Sequence, residues 1–351
     1  LNKTRMANGS LVLSIDRPHL VVDETGRVIK IEIDRQDPSH NLIEEYMLAA
    51  NRAVASFMIE RAMPYMSRVH PEPDVDAEEE FAEFCAELKE TPPDFTEPRR
   101  VQMFLDGLRG MPGEHAVHLA VLKSMKRAQY DHKPGLHYAL GFTEYTHFTS
   151  PIRRLCDLTI HQIIASYWAS GGILKHEEQP LELPWMDGHP TPKRSQQLMA
   201  TGNRIQGGQA WRLTMPAICR TASETENRAQ KAEMEATQLK LLRLMLERVG
   251  EEFEGTAVHI AGSGVVVQLD EMWVEGTLFY SELSQDWITP RKFWVEYETR
   301  TGTRKTKVGD RLNVVVTDVD LGARTLRLAL PGSPAAIAAK RGGSAGANQV
   351  W

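Results

Sequence analysis

The sequence is poor in cysteine. It contains only Cys85, Cys156 and Cys219, which are far apart in the chain and odd in number. Such a set provides neither a disulfide framework nor the close spacing of a zinc site. The pattern therefore predicts a protein of a reducing, cytoplasmic compartment.

Long apolar runs are also missing. No stretch of 18 apolar residues occurs, so no membrane-spanning helix and no membrane partner is expected. The charged start, residues 1–5, is not followed by the apolar core of a signal peptide. Because Leu1 is not an initiator methionine, we expect the chain to start inside a longer polypeptide. Processing, a chosen fragment boundary or a nicked polypeptide would each account for that start.

An excess of positive charge is absent as well. The formal net charge is −6, from 41 lysines and arginines against 47 aspartates and glutamates. A chain with this balance binds nucleic acid only where its cations gather locally. The hydrophobic fraction of 42% and the charged fraction of 25% are typical of a globular protein, and 351 residues predict about two domains.

The apolar pattern predicts a hairpin followed by a series of helices. Residues 11–34 alternate between apolar and polar side chains around a turn signal at Asp23–Gly26, which is typical of a β-hairpin. Helical periodicity follows, and Gly250 is expected to cap the last long helix. The predicted helices cover residues 40–62, 77–90, 97–109 and 114–128, a segment from Pro151 onward and residues 221–248, with a loop over 170–192.

After Gly250 the pattern changes to short strands. About five strand-like runs within residues 253–330 predict a small Greek-key barrel. The tail from Gly332, rich in Ala, Gly and Ser, is expected to be flexible. The predicted fold class is therefore α+β, with a helix-rich part followed by an OB-type five-stranded β-barrel.

The string YTHFTSPIRR at residues 145–154 carries the chemistry. Ser150 is a predicted N-cap and the proline after it the first helical residue, which would put Arg153 and Arg154 in the first turn. Cations are disfavoured at that end of a helix, so two arginines there indicate a bound anion, and phosphate is the natural candidate. Asp157 is spaced to hold one guanidinium. A surface salt bridge at a helix start explains the same pattern without a ligand.

That string resembles the centre of the catalytic domain of the ribonuclease II/R family, in the form of the ribonuclease R branch. The likeness extends from about residue 5 to residue 330, through LIEEYMLAAN at 42–51, MKRAQY at 125–130, HYAL at 137–140 and DLTIH at 157–161. It implies the C-terminal part of an RNB-type catalytic domain over residues 1–250, an S1 RNA-binding domain over 251–331 and a flexible tail over 332–351.

The resemblance implies a 3′→5′ exoribonuclease that hydrolyses single-stranded RNA processively to nucleoside 5′-monophosphates. Arg153 should contact the scissile phosphate and stabilise its developing charge. Glu226 matches a glutamate of the catalytic pocket, although a solvated helix glutamate fits equally well. One of Glu44 and Glu45 should recognise the ribose hydroxyls, because adjacent helix positions point about 100° apart. The other RNA-binding residues implied by the string are His147, Thr149, Ser150 and Arg154.

The resemblance also implies a metal cofactor, Mg²⁺, held by a cluster of aspartates. No such cluster occurs in these 351 residues, so its ligands are expected outside this chain, on an N-terminal part of the catalytic domain that is separate or cleaved. The string Asp74-Val75-Asp76 is instead interpreted as a solvated helix start. A fragment, or a degenerate relative kept for binding, remains an alternative. An aromatic clamp for the terminal base is replaced by His19, for which core or surface roles fit as well.

In the predicted barrel, Phe279 and Tyr280 are candidates for stacking on RNA bases, because the strand at residues 263–267 lacks aromatics. Basic and aromatic residues alternate nearby, which favours RNA binding through Lys305 and Lys307. A charged β-hairpin turning at residues 301–302 explains the same alternation without RNA. The full basic and aromatic set is Lys292, Phe293, Trp294, Tyr297, Arg300, Arg304, Lys305, Lys307 and Arg311.

Three functions compete on this sequence. The first is the exoribonuclease acting on single-stranded RNA, and the second a non-catalytic RNA-binding protein derived from the same fold. A helical scaffold joined to an unrelated barrel is a weaker third. Activity of the complete protein separates the first two, and a pocket beside Arg153 separates both from the third.

Overall fold

A computed structural model describes residues 1–13, 18–33, 37–111, 113–172, 208–284, 287–299 and 302–342 of the chain. The helices are α1 (Asn2–Ala7), α2 (Pro38–Glu60), α3 (Val75–Leu88), α4 (Pro98–Gly107), α5 (Glu114–Ser124), α6 (Leu155–Ala169), α7 (Gly208–Leu246), α8 (Tyr280–Leu283) and α9 (Pro334–Gly342). The strands are β1 (Pro18–Val22), β2 (Val28–Ile33), β3 (Ser67–Val69), β4 (Gln129–Asp131), β5 (Glu252–Ala261), β6 (Gly264–Leu269), β7 (Glu275–Phe279), β8 (Ile288–Pro290), β9 (Trp294–Thr299), β10 (Gly302–Lys307), β11 (Arg311–Asp320) and β12 (Thr325–Ala329). None of the described helices is long and apolar enough to cross a bilayer.

The predicted hairpin and the predicted first long helix are both confirmed. Strands β1 and β2 pair antiparallel on either side of the turn at residues 23–27. Helix α2 starts where the Asp37 carboxylate accepts the N–H groups of Ser39 and His40, at 2.8 and 2.9 Å. Its buried side chains follow helical spacing and form one face, of which Ala55 and Met58 pack against α6 and α7 and Leu48 packs against Phe142 and Tyr145. The buried side chains of α2 are Leu48, Asn51, Ala55 and Met58.

The helix predicted to begin at Pro151 begins instead at Leu155, which corrects the placement of both arginines. Residues 151–153 form a turn, and Arg154 is the N-cap rather than a residue of the first turn. The physical reason is the carboxylate of Asp157, which is buried and accepts the backbone N–H of Ser150 at 2.7 Å. The chain therefore wraps back onto this carboxylate before the helix starts.

Helix α7 is longer than predicted: it begins at Gly208 rather than near residue 221. Pro216 lies inside it. The helix ends at Leu246, so Gly250 does not cap it and instead lies just before β5. There the glycine has a φ of +93°, and an added Cβ would lie 3.0 Å from the carbonyl oxygen of Ala339. The loop predicted over residues 170–192 lies mostly outside the described residues.

The five-stranded barrel is confirmed, with the closed order β11-β12-β7-β6-β5. Along β5 and β6 alternate side chains enter its core, as the pleat of a strand requires. The predicted charged hairpin is also present, as β9 paired with β10, although its turn residues 300 and 301 lie outside the described residues. Strand β8 pairs with β9, so the hairpin belongs to a three-stranded sheet.

The tail is not flexible throughout, which corrects part of the prediction for residues 332–351. Helix α9 forms within it and packs against the barrel, because Ala336 and Ala339 are small enough to lie buried there. Residues 343–351 lie outside the described part of the chain.

Candidate active site

The turn before α6 is held by one buried carboxylate. Asp157 has no solvent exposure, and its Oδ1 accepts both the Ser150 backbone N–H at 2.7 Å and Nη2 of Arg154 at 2.8 Å. Its Oδ2 lies 2.8 Å from Nε of Arg154. The prediction that Asp157 binds one of the two arginines is therefore confirmed, and that arginine is Arg154. A buried carboxylate fixed by two groups gives the turn a single conformation.

Arg153 differs from Arg154 both in its exposure and in its side-chain partners. Its side chain is exposed, and within the described residues it forms no ion pair or side-chain hydrogen bond. Its charge nevertheless acts on His147, whose pKa it helps to lower. Arg153 is thus a free guanidinium on a rigid turn, whereas the charge of Arg154 is already balanced by Asp157.

A cleft of about 500 Å³ opens between α2 and this turn. Its polar groups come from Ser39, His40, Glu44, Asn51, Tyr145 and Arg154. The Tyr145 hydroxyl accepts a hydrogen bond from the Asn51 amide at 3.0 Å, which fixes that side of the cleft. The apolar part of the wall comes from Ile43, Met47 and Leu48.

The two candidate glutamates on α2 point to different places, as the 100° step predicts. Glu44 lines the cleft, while Glu45 accepts hydrogen bonds from the Arg5 guanidinium at 2.7 and 2.9 Å and from the Asn2 amide at 3.0 Å. The Glu45 side chain is only 12% exposed. Glu45 therefore attaches α1 to α2, and Glu44 is the carboxylate available to a ligand.

His147 lies behind the turn as a neutral ring. Burial, followed by the positive charges of Arg154 and Arg68, lowers the pKa of His147 to about 2. Its Nδ1 and the Tyr130 hydroxyl are joined by a hydrogen bond of 2.9 Å. Nearby, the Thr149 Oγ1 is buried and has no hydrogen-bond partner among the residues that the structure describes. The RNA-binding roles of His147, Thr149 and Ser150 stay predictions.

Glu226 is bound bidentately by Arg68, a residue that sequence reasoning missed. The two guanidinium nitrogens lie 2.5 and 3.2 Å from the carboxylate oxygens, and the Arg68 guanidinium stacks 4.6 Å from the Tyr130 ring centre. Tyr130 also donates its backbone N–H to Ser223 Oγ at 2.9 Å, so strands β3 and β4 hold this stretch of α7. Glu226 is therefore not simply solvated, and its catalytic role stays a prediction.

The described residues do not provide a metal site. No group of three His, Cys, Asp or Glu side chains within them is placed to hold a metal ion. Asp74 and Asp76 lie where the sequence predicts, because α3 starts between them, and Asp74 pairs with Lys126. His19 lies exposed on β1 opposite Glu32, and its proposed role as a base clamp stays a prediction.

On the barrel, Phe279 and Tyr280 are adjacent but differ in their contacts. The Arg327 guanidinium lies 5.3 Å from the Phe279 ring centre, which forms an arginine–aromatic pair on the surface. The Tyr280 hydroxyl donates to the Ala261 carbonyl at 2.6 Å. Lys305 and Lys307 lie on β10 and face the carboxyl-terminal end of α3, with Glu87 as their common neighbour. RNA binding by these four residues stays a prediction.

Comparison with known proteins identifies both parts of the chain. A model of the RNB domain matches residues 1–170, and a model of the S1 RNA binding domain matches residues 247–330. Ribonuclease R of Escherichia coli is 28% identical over 334 residues, which are 94% of this chain and 38% of that protein. The chain belongs to the ribonuclease II/R family. Ribonuclease R of Aquifex aeolicus is 30% identical over 290 residues, 82% of this chain and 36% of that protein.

Solved structures agree on the fold of this ribonuclease II/R family chain. The structure of Mycoplasma genitalium RNase R in complex with ribose-methylated single-stranded RNA has a TM-score of 0.77 at 24% identity. The match covers 94% of this chain and 47% of that one. The chain spans only 36% to 41% of the length of the curated relatives that it matches.

Proposed function

We propose that this chain belongs to a 3′→5′ exoribonuclease that hydrolyses single-stranded RNA processively and releases nucleoside 5′-monophosphates. Residues 1–250 would form the RNA-contacting part of the catalytic domain, and residues 251–331 an RNA-binding barrel. The observation that carries this proposal is the exposed guanidinium of Arg153 on a turn fixed by Asp157. Arg153 is not among the described residues that line the cleft of Glu44, but it directly precedes Arg154, which is.

Arg153 would act by electrostatic stabilisation. A phosphodiester gains negative charge as water attacks. A guanidinium that no described carboxylate occupies presents paired N–H donors to two of the phosphodiester oxygens. The rigid turn matters because a preorganised donor loses no free energy to reorganisation during the reaction. Arg154 contributes charge to the cleft wall, but its own donors are largely committed to Asp157.

Glu44 would recognise the ribose of the RNA. A carboxylate accepts hydrogen bonds from ribose hydroxyls, and the 2′-hydroxyl is the group that distinguishes RNA from DNA. The apolar side chains of Ile43, Met47 and Leu48 beside it offer a surface for the sugar and base. The cleft thereby combines recognition of the ribose with a nearby phosphate contact.

The metal ion that the family implies does not fit the described residues, which contain no set of three ligands for it. We propose that Mg²⁺ ligands belong to a part of the catalytic domain outside these 351 residues. That part would be a partner of this chain, whether joined to it or cleaved from it. Single-stranded RNA is the second proposed partner, and a cytoplasmic location is the proposed compartment.

Arg153→Ala in the complete protein tests the proposal. Loss of one transition-state donor should lower the rate of single-stranded RNA hydrolysis with Mg²⁺ by about 100-fold to 1,000-fold. Binding of uncleaved RNA should change little. Ile152→Ala is the matched control, because Ile152 is the exposed neighbour on the same turn. Hydrolysis by Arg153→Ala at the control rate would refute the role, and RNA binding without hydrolysis by the wild type would favour the non-catalytic alternative.

A further inference from the structure

The sheet formed by β8, β9 and β10, together with the β8–β9 connection at residues 291–293, is called here the appended sheet. It faces the acidic helix α3. Among the 14 residues of α3 there are six carboxylates and no lysine or arginine. Three of them, the contact glutamates Glu80, Glu83 and Glu87, lie against the sheet. The other three are the non-contact acids Asp76, Glu78 and Glu79.

The contacts to α3 are polar and specific. Lys292 Nζ lies 2.9 Å from Glu83 Oε2 and 3.7 Å from Glu80 Oε1. The Trp294 indole N–H donates to Glu87 Oε1 at 3.2 Å, and Lys305 Nζ lies 4.0 Å from the other oxygen of that carboxylate. Each contact glutamate thus binds a group of the kind that binds nucleic acid.

The same cations are arranged for stacking and phosphate contact. Lys305 Nζ lies 3.5 Å from the Trp294 ring centre, and Lys292 Nζ 5.4 Å from the Phe293 ring centre. Basic groups beside aromatic rings suit single-stranded nucleic acid, because phosphates bind the cations while bases stack on the rings. Here α3 occupies that surface with carboxylates.

The ion pairs between α3 and the appended sheet can break, and the lysines can bind phosphates instead, while the helix and the sheet stay in contact. Phe293 packs on Phe84 with ring centres 5.3 Å apart, and this apolar contact does not involve the lysine head groups. The side chains of Lys292, Glu80 and Glu83 are about half exposed or more, at 48%, 60% and 63%. Exposed pairs of this kind are weak and screened by salt, whereas a phosphate chain gains affinity by releasing counterions.

We propose that the appended sheet is a second binding surface for single-stranded RNA, and that the contact glutamates of α3 cover it until RNA phosphates replace them. Because RNA is the ligand, this site rests on the proposed function. It lies outside the cleft of Glu44 and Arg154. The hydrophobic contact of Phe84 with Phe293 holds the sheet in place while Lys292, Trp294 and Lys305 change partners.

A matched pair of triple variants of the complete protein tests this surface by RNA binding alone. Both remove three negative charges from α3: E80Q/E83Q/E87Q removes the contact glutamates, and D76N/E78Q/E79Q removes the non-contact acids. RNA affinity is measured by fluorescence anisotropy in EDTA, so that no hydrolysis occurs. The contact variant should bind single-stranded RNA about threefold to tenfold more tightly than the control variant.

The salt dependence identifies the groups responsible. With Lys292 and Lys305 made available, the slope of log affinity against log salt should become steeper by about 1.4, at roughly 0.7 per phosphate contact on a single strand. K292Q/K305Q, added to the contact variant, should abolish both the gain and the added slope. Equal affinities of the two acid variants, or a gain that survives loss of the lysines, would overturn the proposal.

A measurement on the wild type covers the case in which a triple variant does not fold. Carbodiimide joins a lysine to a carboxylate in direct contact, so Lys292 and Glu83 should form an amide that peptide mass spectrometry detects. Single-stranded RNA should reduce this cross-link and leave that of Lys126 with Asp74, at the other end of α3, unchanged. Equal yields with and without RNA would also overturn the proposal. RNA-dependent protection without any hydrolysis would refute the nuclease function but not this surface.

Discussion

The guanidinium of Arg154 lies 2.8 Å from the carboxylate of Asp157, and that carboxylate is completely buried. The pair explains why the helix α6 begins at Leu155 and why the turn before it is rigid. It also divides the two arginines of the motif into one that holds the structure and one that is available to a phosphate. The most direct predictions concern this arrangement.

Removal of Asp157 should destabilise the protein strongly. Asp157→Ala leaves the Arg154 charge without its partner and the Ser150 N–H without its acceptor, so the free energy of unfolding should fall by about 3–5 kcal/mol. Urea denaturation measures the change. Leu158→Ala, on the exposed side of the same helix turn, is the control and should cost much less. Equal costs of the two substitutions would show that the pair does not hold the turn.

The two adjacent glutamates of α2 should have separable effects. Glu44→Gln should reduce the preference for RNA over DNA by about tenfold, because a charged acceptor for the ribose hydroxyl is lost. Glu45→Gln should leave this preference unchanged and lower the free energy of unfolding by about 1 kcal/mol, because the contact with Arg5 weakens. Competition binding with matched RNA and DNA oligonucleotides, alongside urea denaturation, checks both. An exchange of the two effects would contradict the placement of Glu44 in the cleft.

The protein should become less stable as the pH is lowered, because unfolding allows His147 to take up a proton. The unfolded chain takes up a proton at this ring below about pH 6.5, whereas the folded protein, with a pKa of about 2, excludes it. The contribution to stability is therefore lost as pH falls below about 6.5. His147→Asn should lose less stability than the wild type between pH 7 and pH 5, by up to about 2 kcal/mol. Urea denaturation at both pH values tests this.

His259→Asn serves as the control for that pH dependence, because His259 is exposed on β5. It should follow the wild type at both pH values. If His147→Asn also follows the wild type, protonation of the His147 ring does not oppose folding.

Gly264 should be essential to the barrel. A Cβ at this position would lie 2.4 Å from the carbonyl oxygen of Leu278 on the neighbouring strand, so β6 and β7 would have to move apart. Gly264→Ala should therefore lower the free energy of unfolding by about 1–3 kcal/mol. Gly262→Ala, two residues earlier with open space around it, should have little effect. Denaturation midpoints compare the two, and equal midpoints would contradict the close approach.

The order of elements could be predicted because it depends on local signals. The hairpin of β1 and β2, the start of α2 at Asp37 and the change to β structure after Gly250 follow from turn residues, a cap and apolar periodicity. The ten residues at 145–154 were specific enough to predict the family. The start of α6 could not be predicted in this way. Ser150 and Pro151 have the residue types of a helix start, but the buried carboxylate of Asp157 binds the Ser150 N–H and delays the helix.

The sequence alone supplied the candidates for the chemistry: an arginine pair, a glutamate pair on one helix, and a barrel at the other end of the chain. Only the tertiary structure decided which member of each pair is free. Arg154 is held by Asp157 and Glu45 by Arg5, whereas no residue in the described part of the chain holds Arg153 or Glu44 in this way. It also brought Arg68 to Glu226 and the lysines of the appended sheet to α3. Such pairings join residues far apart in sequence, so they depend on packing that no local pattern encodes.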